Sequence, residues 1–346
     1  MKKIETAPAY SPLWKKLYSL GREFVRAEPW NLFENEDVFV VQGSSDDQLY
    51  LCAVMGNVGR EFGLNAFRGA QGMRNFYEIV GHEEDGQRDR DLKYEIDMLS
   101  FSLSSREFLD DNDLKVTRKL MMTFPGGKWP LFRSFRPHYH PWYLTEQEIE
   151  SLCDCLEQTL ALHKRGEQSL DDIRNNEPEH MLVRSKEGGT WNSHSARICY
   201  PAKEETPEIR LDDITARRLL KLPDSGPKEE IDLVHLPGAI TDHEPPYHGL
   251  LLVGINEEQF ANQYGVFAPF NDYFQEGCDE LAQAFLSRGA KPRTVLLRDD
   301  SPFADVFEGI AGRIGIGCER VDDLPYIADF LSTMERKMAD GTLPGS

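Results

Sequence analysis

The chain has 346 residues, 40% hydrophobic, 28% charged and 10% aromatic, and 59 acids against 39 Lys and Arg give a net charge of −20. Those proportions exclude a wholly disordered chain and predict two domains, each long enough to bury a core without staples. The acidity argues against a surface built for nucleic acid, which needs a positive face to displace counterions, and fits solubility through self-repulsion.

The start, Met1-Lys2-Lys3-Ile4-Glu5, lacks the apolar core of a secretory leader. Ser11-Pro12 has the form of a helix cap followed by a first-turn proline. Leu13, Leu17, Leu20 and Phe24 then recur at helical spacing up to Pro29. Lys15, Lys16, Arg22 and Arg26 lie between them, but Glu23 and Glu28 dilute the basic face. The helix is therefore expected to pack on its own domain rather than on a membrane. Asp37 to Gln42 and Leu49 to Met55 read as strands joined by a turn, followed by a strand from Leu64 to Arg68 and a helix around Met73 to Val80. Five glycines from Gly56 to Gly72 fit neither a dinucleotide nor a Walker spacing and predict a hairpin connection. His82 to Asp91 reads as a charge-dense loop, and Lys93 to Phe101 suits strand or helix. Asp110-Asp111-Asn112-Asp113 suits a solvated turn or helix cap, since a calcium loop would need a downstream glycine and a twelfth-position glutamate.

Thr145 and Glu148 form a capping box, and Ile149, Leu152, Leu156 and Leu160 supply one face of the next helix. Glu167 to Glu179 reads as a polar linker, Met181 to Tyr200 as short strands and Asp212 to Leu222 as a helix. The Pro-, Gly- and charge-rich stretch 223–230 is read as the interdomain linker. It separates an α+β domain of antiparallel strands plus helices (1–222) from a smaller α/β layered domain (231–346). The second domain is expected to have strands at Ile231 to Leu236, Leu250 to Ile255, Thr294 to Leu297 and Ile316 to Glu319. Its helices are one capped by Asn271 or Asp272 and ended by Gly289, one opened by Ser301-Pro302, and a last one from about Pro325.

Between Asp113 and Glu146 there is no acidic residue, while Lys115, Arg118, Lys119, Lys128, Arg133 and Arg136 alternate with aromatics from Phe124 to Tyr143. Cations for phosphate beside aromatic faces for stacking are the components of a nucleotide or single-strand site. The alternative is a proline-rich aromatic segment that packs across the first domain with its cations paired to acids. Lys128, Trp129, Arg133, Arg136, His138 and His140 are the candidate ligand-binding residues, for an unknown protein or a small anionic ligand. In an extended segment His138 and His140 would share a face, as a metal site would want, but no third ligand stands at a recognisable spacing. Asp299 and Asp300 follow directly on a strand end, where open α/β sheets collect ligands. They could hold a divalent cation or act as a base, or Asp300 or Ser301 simply caps the next helix.

No cofactor motif, Gly-x-Ser-x-Gly elbow or His-Glu-x-x-His is present. The six cysteines, Cys52, Cys153, Cys155, Cys199, Cys278 and Cys318, include no Cys-x-x-Cys pair and read as small hydrophobes in a reducing compartment. Cys153 and Cys155, two apart on a helix, point in different directions and cannot together grip a metal. No run approaches the roughly 18 apolar residues that would cross a bilayer, so the cytoplasm is the expected location.

Pro29-Trp30, Val54-Met55-Gly56 with the glycine-rich run after it, Trp129-Pro130-Leu131-Phe132-Arg133-Ser134, Pro292, and Leu324-Pro325 together resemble a bacterial family built from two domains of unknown function. The resemblance spans nearly the whole chain and implies no activity and no catalytic residue to carry over. The element order of the second domain also resembles a reduced ribonuclease-H-like fold, by analogy of fold alone. Catalytic members of that fold carry an aspartate on the first strand, and it is read as missing here, which argues against nuclease activity. The expectation is a cytoplasmic binding or regulatory protein without catalysis of its own. The rivals are a divergent metal-dependent hydrolase or nuclease-like enzyme centred on Asp299 and Asp300, and a structural partner in an assembly.

Overall fold

The computed structural model describes residues 5–8, 11–85, 91–124, 127–176, 179–198, 207–224, 228–256, 258 and 261–340. The chain divides into two units, Lys2–Ala202 and Lys203–Ser346. The first contains α1 (Leu13–Ala27), β1 (Phe39–Gln42), β2 (Leu49–Met55), β3 (Gly63–Arg68), α2 (Gly69–Asp85), α3 (Leu92–Glu95), β4 (Met98–Ser104), α4 (Asp111–Leu120), β5 (Trp129–Phe135), α5 (Glu146–Arg165), α6 (Glu167–Arg174), β6 (His180–Glu187) and β7 (Thr190–Arg197).

Its seven strands form one sheet in the order β5-β4-β3-β2-β1-β6-β7. Pairing is antiparallel except between β1 and β6, which run parallel. Alternation along the strands sends Phe39, Val41, Tyr50 and Cys52 into the larger core with Leu17 and Phe24 of α1 and Leu152 and Leu156 of α5. Val40, Leu51 and Phe67 join Met73 and Phe76 of α2 in a second core. The architecture is the expected α+β arrangement of antiparallel strands and helices.

Several local readings change. Ser11 does not cap α1: Pro12 precedes the helix without a side-chain cap, and the Ser11 hydroxyl is buried with no partner among the described residues. The Pro-rich segment includes a strand, β5, and tolerates Pro130 because β5 is the sheet edge, where one side needs no amide donor. Asp110 caps α4 in a reciprocal capping box with Asp113. The polar stretch after Glu167 is no plain linker but begins with α6, which buries Ser169 and Leu170 and turns its charged positions outward. Helix α2 starts at Gly69, earlier than expected, and reaches Asp85, into the stretch read as a loop. The rest of that stretch up to Arg90, together with Cys199, Tyr200 and Pro125, lies outside the described residues.

The second unit contains α7 (Asp213–Leu220), β8 (Glu229–Ile240), β9 (Tyr247–Asn256), β10 (Ala261–Phe267), α8 (Tyr273–Arg288), β11 (Thr294–Arg298), α9 (Pro302–Ile314), β12 (Gly317–Val321) and α10 (Pro325–Ala339). Its sheet order is β10-β9-β8-β11-β12. The first three strands form an antiparallel meander, and β11 and β12 add in parallel beside β8. Ile231, Leu252, Val295 and Leu297 pack with Leu219, Phe285 and Phe307 of α7, α8 and α9, and Val234, Leu251 and Val253 pack with Ile327 of α10. Because Ala216 and Leu219 enter this core, α7 goes with the second unit, ahead of the linker expected at 223–230. Lys291, 3% exposed, donates to the terminal carbonyls of two helices, Leu219 and Leu220 of α7 and Ile314 of α9, the groups a helix leaves without partners. Among the described residues no helix is long and apolar enough to cross a membrane.

Candidate functional site

Two of the three arginines in the acid-free window, Arg133 and Arg136, are half-buried and paired with carboxylates of the first unit. Arg133, on β5, donates from Nη1 and Nη2 to Asp113 at 2.9 and 2.7 Å and reaches Asp110 at 3.2 Å. Arg136 donates to Glu148 Oε1 at 2.7 Å, and Arg68 from β3 donates to the same oxygen at 3.0 Å. Ser134 Oγ and the Thr145 amide also donate to Glu148, at 2.6 and 2.8 Å, so this carboxylate joins β3, β5 and the first turn of α5. Burial pushes the Glu148 carboxyl up, but Arg136, Arg68, Ser134 and the Thr145 amide together hold it below the ordinary range. Both arginines are clamps between elements, paired with acids as in the packed-segment alternative.

The histidines do not form the expected pair on an extended segment. His138 adopts φ 66°, a left-handed conformation in a turn, so the alternation that would align it with His140 is broken. Its Nδ1 lies 3.5 Å from Glu95 Oε1, while His140 is exposed.

Lys128 and Trp129 stand among aromatic rings. Lys128 is exposed, with Nζ 4.7 Å from the Phe62 ring centre and 5.4 Å from that of Trp30. Trp129 packs on Phe124 at 5.4 Å, and the Arg106 guanidinium carbon lies 5.9 Å from its ring. Strand register brings these groups to one end of the sheet: Ser104 pairs with Trp129, and the Leu103 amide donates to Phe62 O at 2.8 Å. Neither Lys128 nor Arg106 makes an ion pair among the described residues. Arg106 sits between two serine-rich and acidic stretches and carried no signal in the sequence.

In the second unit, β11 pairs with β8 only at Val295↔Glu229 and Leu296↔Glu230, and the crevice at its carboxyl end gathers charge. The first strand does carry an aspartate, contrary to the sequence reading. Asp232 stands on β8 and is 2% exposed. The apolar run Ile231 to Leu236 concealed it, although two acids directly before it, Glu229 and Glu230, mark this strand as unusual. Arg298 Nε lies 3.4 Å from Asp232 Oδ2 and 3.0 Å from Asp300 Oδ1. Ser301 Oγ donates to Asp232 Oδ1 at 2.6 Å, so the N-cap residue of α9 gives its hydroxyl to the strand instead of the helix. Asp300 is therefore a partner of Arg298. Asp299 is exposed, its carbonyl accepting from Arg320 Nη1 at 2.9 Å and its carboxylate 3.9 Å from the same nitrogen. One guanidinium thus occupies the space between two carboxylates that a divalent cation would need to share.

Nearby on the same strand, Glu230 accepts the amide of Ile327 at 3.0 Å at the start of α10, and burial pushes its carboxyl up.

A family model described as Domain of unknown function (DUF7309) matches residues 14–184, and one described as Domain of unknown function (DUF6930) matches residues 215–335. Each match falls inside one unit. Neither the curated proteins nor the solved structures yield a match to the chain.

Proposed function

For a chain that belongs to a family joining these two domains of unknown function in tandem, we propose a binding or regulatory role without catalysis of its own. The observation that carries this reading is Arg298. Its guanidinium sits between buried Asp232 and exposed Asp300 at ion-pair distance from both. Two carboxylates that must converge on a metal are here neutralised by a side chain of the protein itself. The second unit is read as a ribonuclease-H-like layer, supported by its three-stranded meander followed by two parallel strands, with an internal cation at the position where catalysis would begin.

The binding surface proposed is the sheet end where Lys128 and Arg106 ride on aromatic rings. Cations held over rings and left without carboxylate partners suit acidic groups of a protein partner. Arg133, Arg136, His138 and His140 take no part in it. A reducing, cytoplasmic setting suits the five free thiols among the described residues.

The rival, a metal-dependent hydrolase centred on Asp299 and Asp300, is favoured by Asp232 standing beside Asp300. Thermal unfolding with and without Mn²⁺ separates the two. A specific site held at 100 times its dissociation constant adds about 2.7 kcal/mol, a rise of several degrees in the midpoint. The expected result is an unchanged midpoint. A rise that Asp232→Asn and Asp300→Asn each abolish would overturn the non-catalytic reading and install the metal enzyme.

A further inference from the structure

The second unit also holds a cleft of about 520 Å³ between the approach to α7 and the flank of α8, lined by residues that neither site above uses. Its walls are fixed by hydrogen bonds. Gln275 Oε1 accepts the Arg210 amide at 2.9 Å, and Gln275 Nε2 donates to Arg210 O at 3.0 Å and to Asp279 Oδ1 at 3.1 Å. Asp212 accepts the amides of Ile214 and Thr215, both at 2.9 Å, as the N-cap of α7. The segment before α7 and the helix α8 are thereby locked edge to edge.

Three charged residues line this cleft, Arg210, Asp212 and Asp279. Among the described residues, Arg210 has no carboxylate within 4.0 Å. Residues of opposite charge therefore line a common space without pairing with one another, and Gln283 adds an amide-bearing residue to the same lining. A simple anion entering here would meet two carboxylates, and a simple cation would meet the guanidinium, so either suffers repulsion from part of the wall. A molecule carrying both signs meets attraction at each end.

We propose that this cleft binds a small zwitterion of the α-amino-acid class, its carboxylate on Arg210 and its ammonium group toward Asp279 and Asp212. The side-chain amide of Gln283 suits a ligand whose own side chain is polar. The volume falls in the range of small-molecule sites, about 300–1,000 Å³. This inference is independent of Arg298 and of the sheet end of the first unit, and no residue is shared with either.

The test is titration calorimetry of the full chain with L-glutamine, L-glutamate and L-arginine, each taken to about 10 mM. Two controls each lack one charge of glutamine: glutaramate, without the amine, and 4-aminobutanamide, without the carboxylate. The expected result is saturable heat with at least one amino acid, weakened at least about tenfold in Arg210→Ala and in Asp279→Asn and absent with the controls. Both substituted side chains are exposed, and an unchanged circular dichroism spectrum shows that the fold is kept. No saturable heat with any of the three amino acids overturns the proposal. So does equal binding of either single-charge control, or wild-type affinity in both variants.

Discussion

Glu148 and Glu230 are carboxylates at helix N-termini, 6% and 2% exposed, and their surroundings give them opposite roles. Glu148 faces Arg68 and Arg136 and needs its negative charge, because without it two half-buried guanidinium groups lose their shared partner. Glu148→Gln is expected to destabilise the protein by about 3 kcal/mol at neutral pH. Its carboxyl is held below the ordinary value of 4.5. Its contribution is therefore complete above that value and is lost as pH falls through the lower folded one. Glu230 has no such cation: burial raises its carboxyl, and the amides of Ile327 and Tyr326 only partly offset this. Ionisation of Glu230 therefore opposes folding, and the penalty is relieved as pH falls through the raised value toward 4.5. Glu230→Gln keeps an acceptor for the Ile327 amide, so its effect at neutral pH is expected to stay within about 1 kcal/mol, with the sign toward stabilisation. Urea unfolding of the two variants at neutral and mildly acid pH measures both, and an equal loss in each would show that charge is not what separates them.

Helix α2 shows how an element can be legible while its reason is not. The sequence placed a helix around Met73 to Val80, introduced by Gly69 and Gly72, but did not include those glycines in the helix or show the tight seat of its first turn. A Cβ at Gly72 would stand 2.5 Å from the Asp97 carbonyl oxygen and 2.6 Å from the Phe67 carbonyl carbon, both backbone atoms that cannot swing away. At Gly81, on the same helix, nothing lies within 4 Å of such an atom. Gly72→Ala is expected to cost about 2 kcal/mol or more by lifting α2 from the sheet, whereas Gly81→Ala should gain about 0.5–1 kcal/mol from helix propensity. Urea midpoints that moved the same way in both would refute this account of the seat.

The same division runs through the other elements. Local grammar was readable: the capping box of Thr145 and Glu148, the Asp272 cap and the Gly289 end of α8 all follow from short-range residue types. What depended on distant partners was hidden. β5 is a strand because β4 lies beside it, Ser301 fails to cap because Asp232 takes its hydroxyl, and Arg298 acquires its role only when β8 and β11 come together. Among the candidate residues, Arg133 and Arg136 pair with Asp113 and Glu148, carboxylates that no local spacing pointed to, and Asp232 was concealed in an apolar run.

Across the whole molecule the charge of −20 decides which partners can approach. The acid-free window looked like the one place where a polyanion might bind, but it does not gather its cations at the sheet end: Arg133 and Arg136 are committed to Asp113 and Glu148, Lys115, Arg118 and Lys119 lie on α4, and the cations over the rings at the sheet end are Lys128 and, from outside the window, Arg106. The two cations at the sheet end can displace counterions from about two phosphates, for which the logarithm of affinity for a single strand would fall with the logarithm of salt at a slope of only about −1.4. Against the long-range repulsion of the remaining surface, which extends about 10 Å at 0.1 M salt, that gain is too small to hold a nucleic acid. A single-stranded oligonucleotide titrated into the protein at about 50 mM salt is therefore expected to leave the Trp30 and Trp129 fluorescence unchanged. Binding with a slope steeper than about −3 would require at least four phosphate contacts, and so a basic surface beyond Lys128 and Arg106; Lys128→Glu would then weaken it only slightly. A shallow slope abolished by Lys128→Glu would instead locate a weak anion site at the sheet end and show that its two cations outweigh the acidic surroundings.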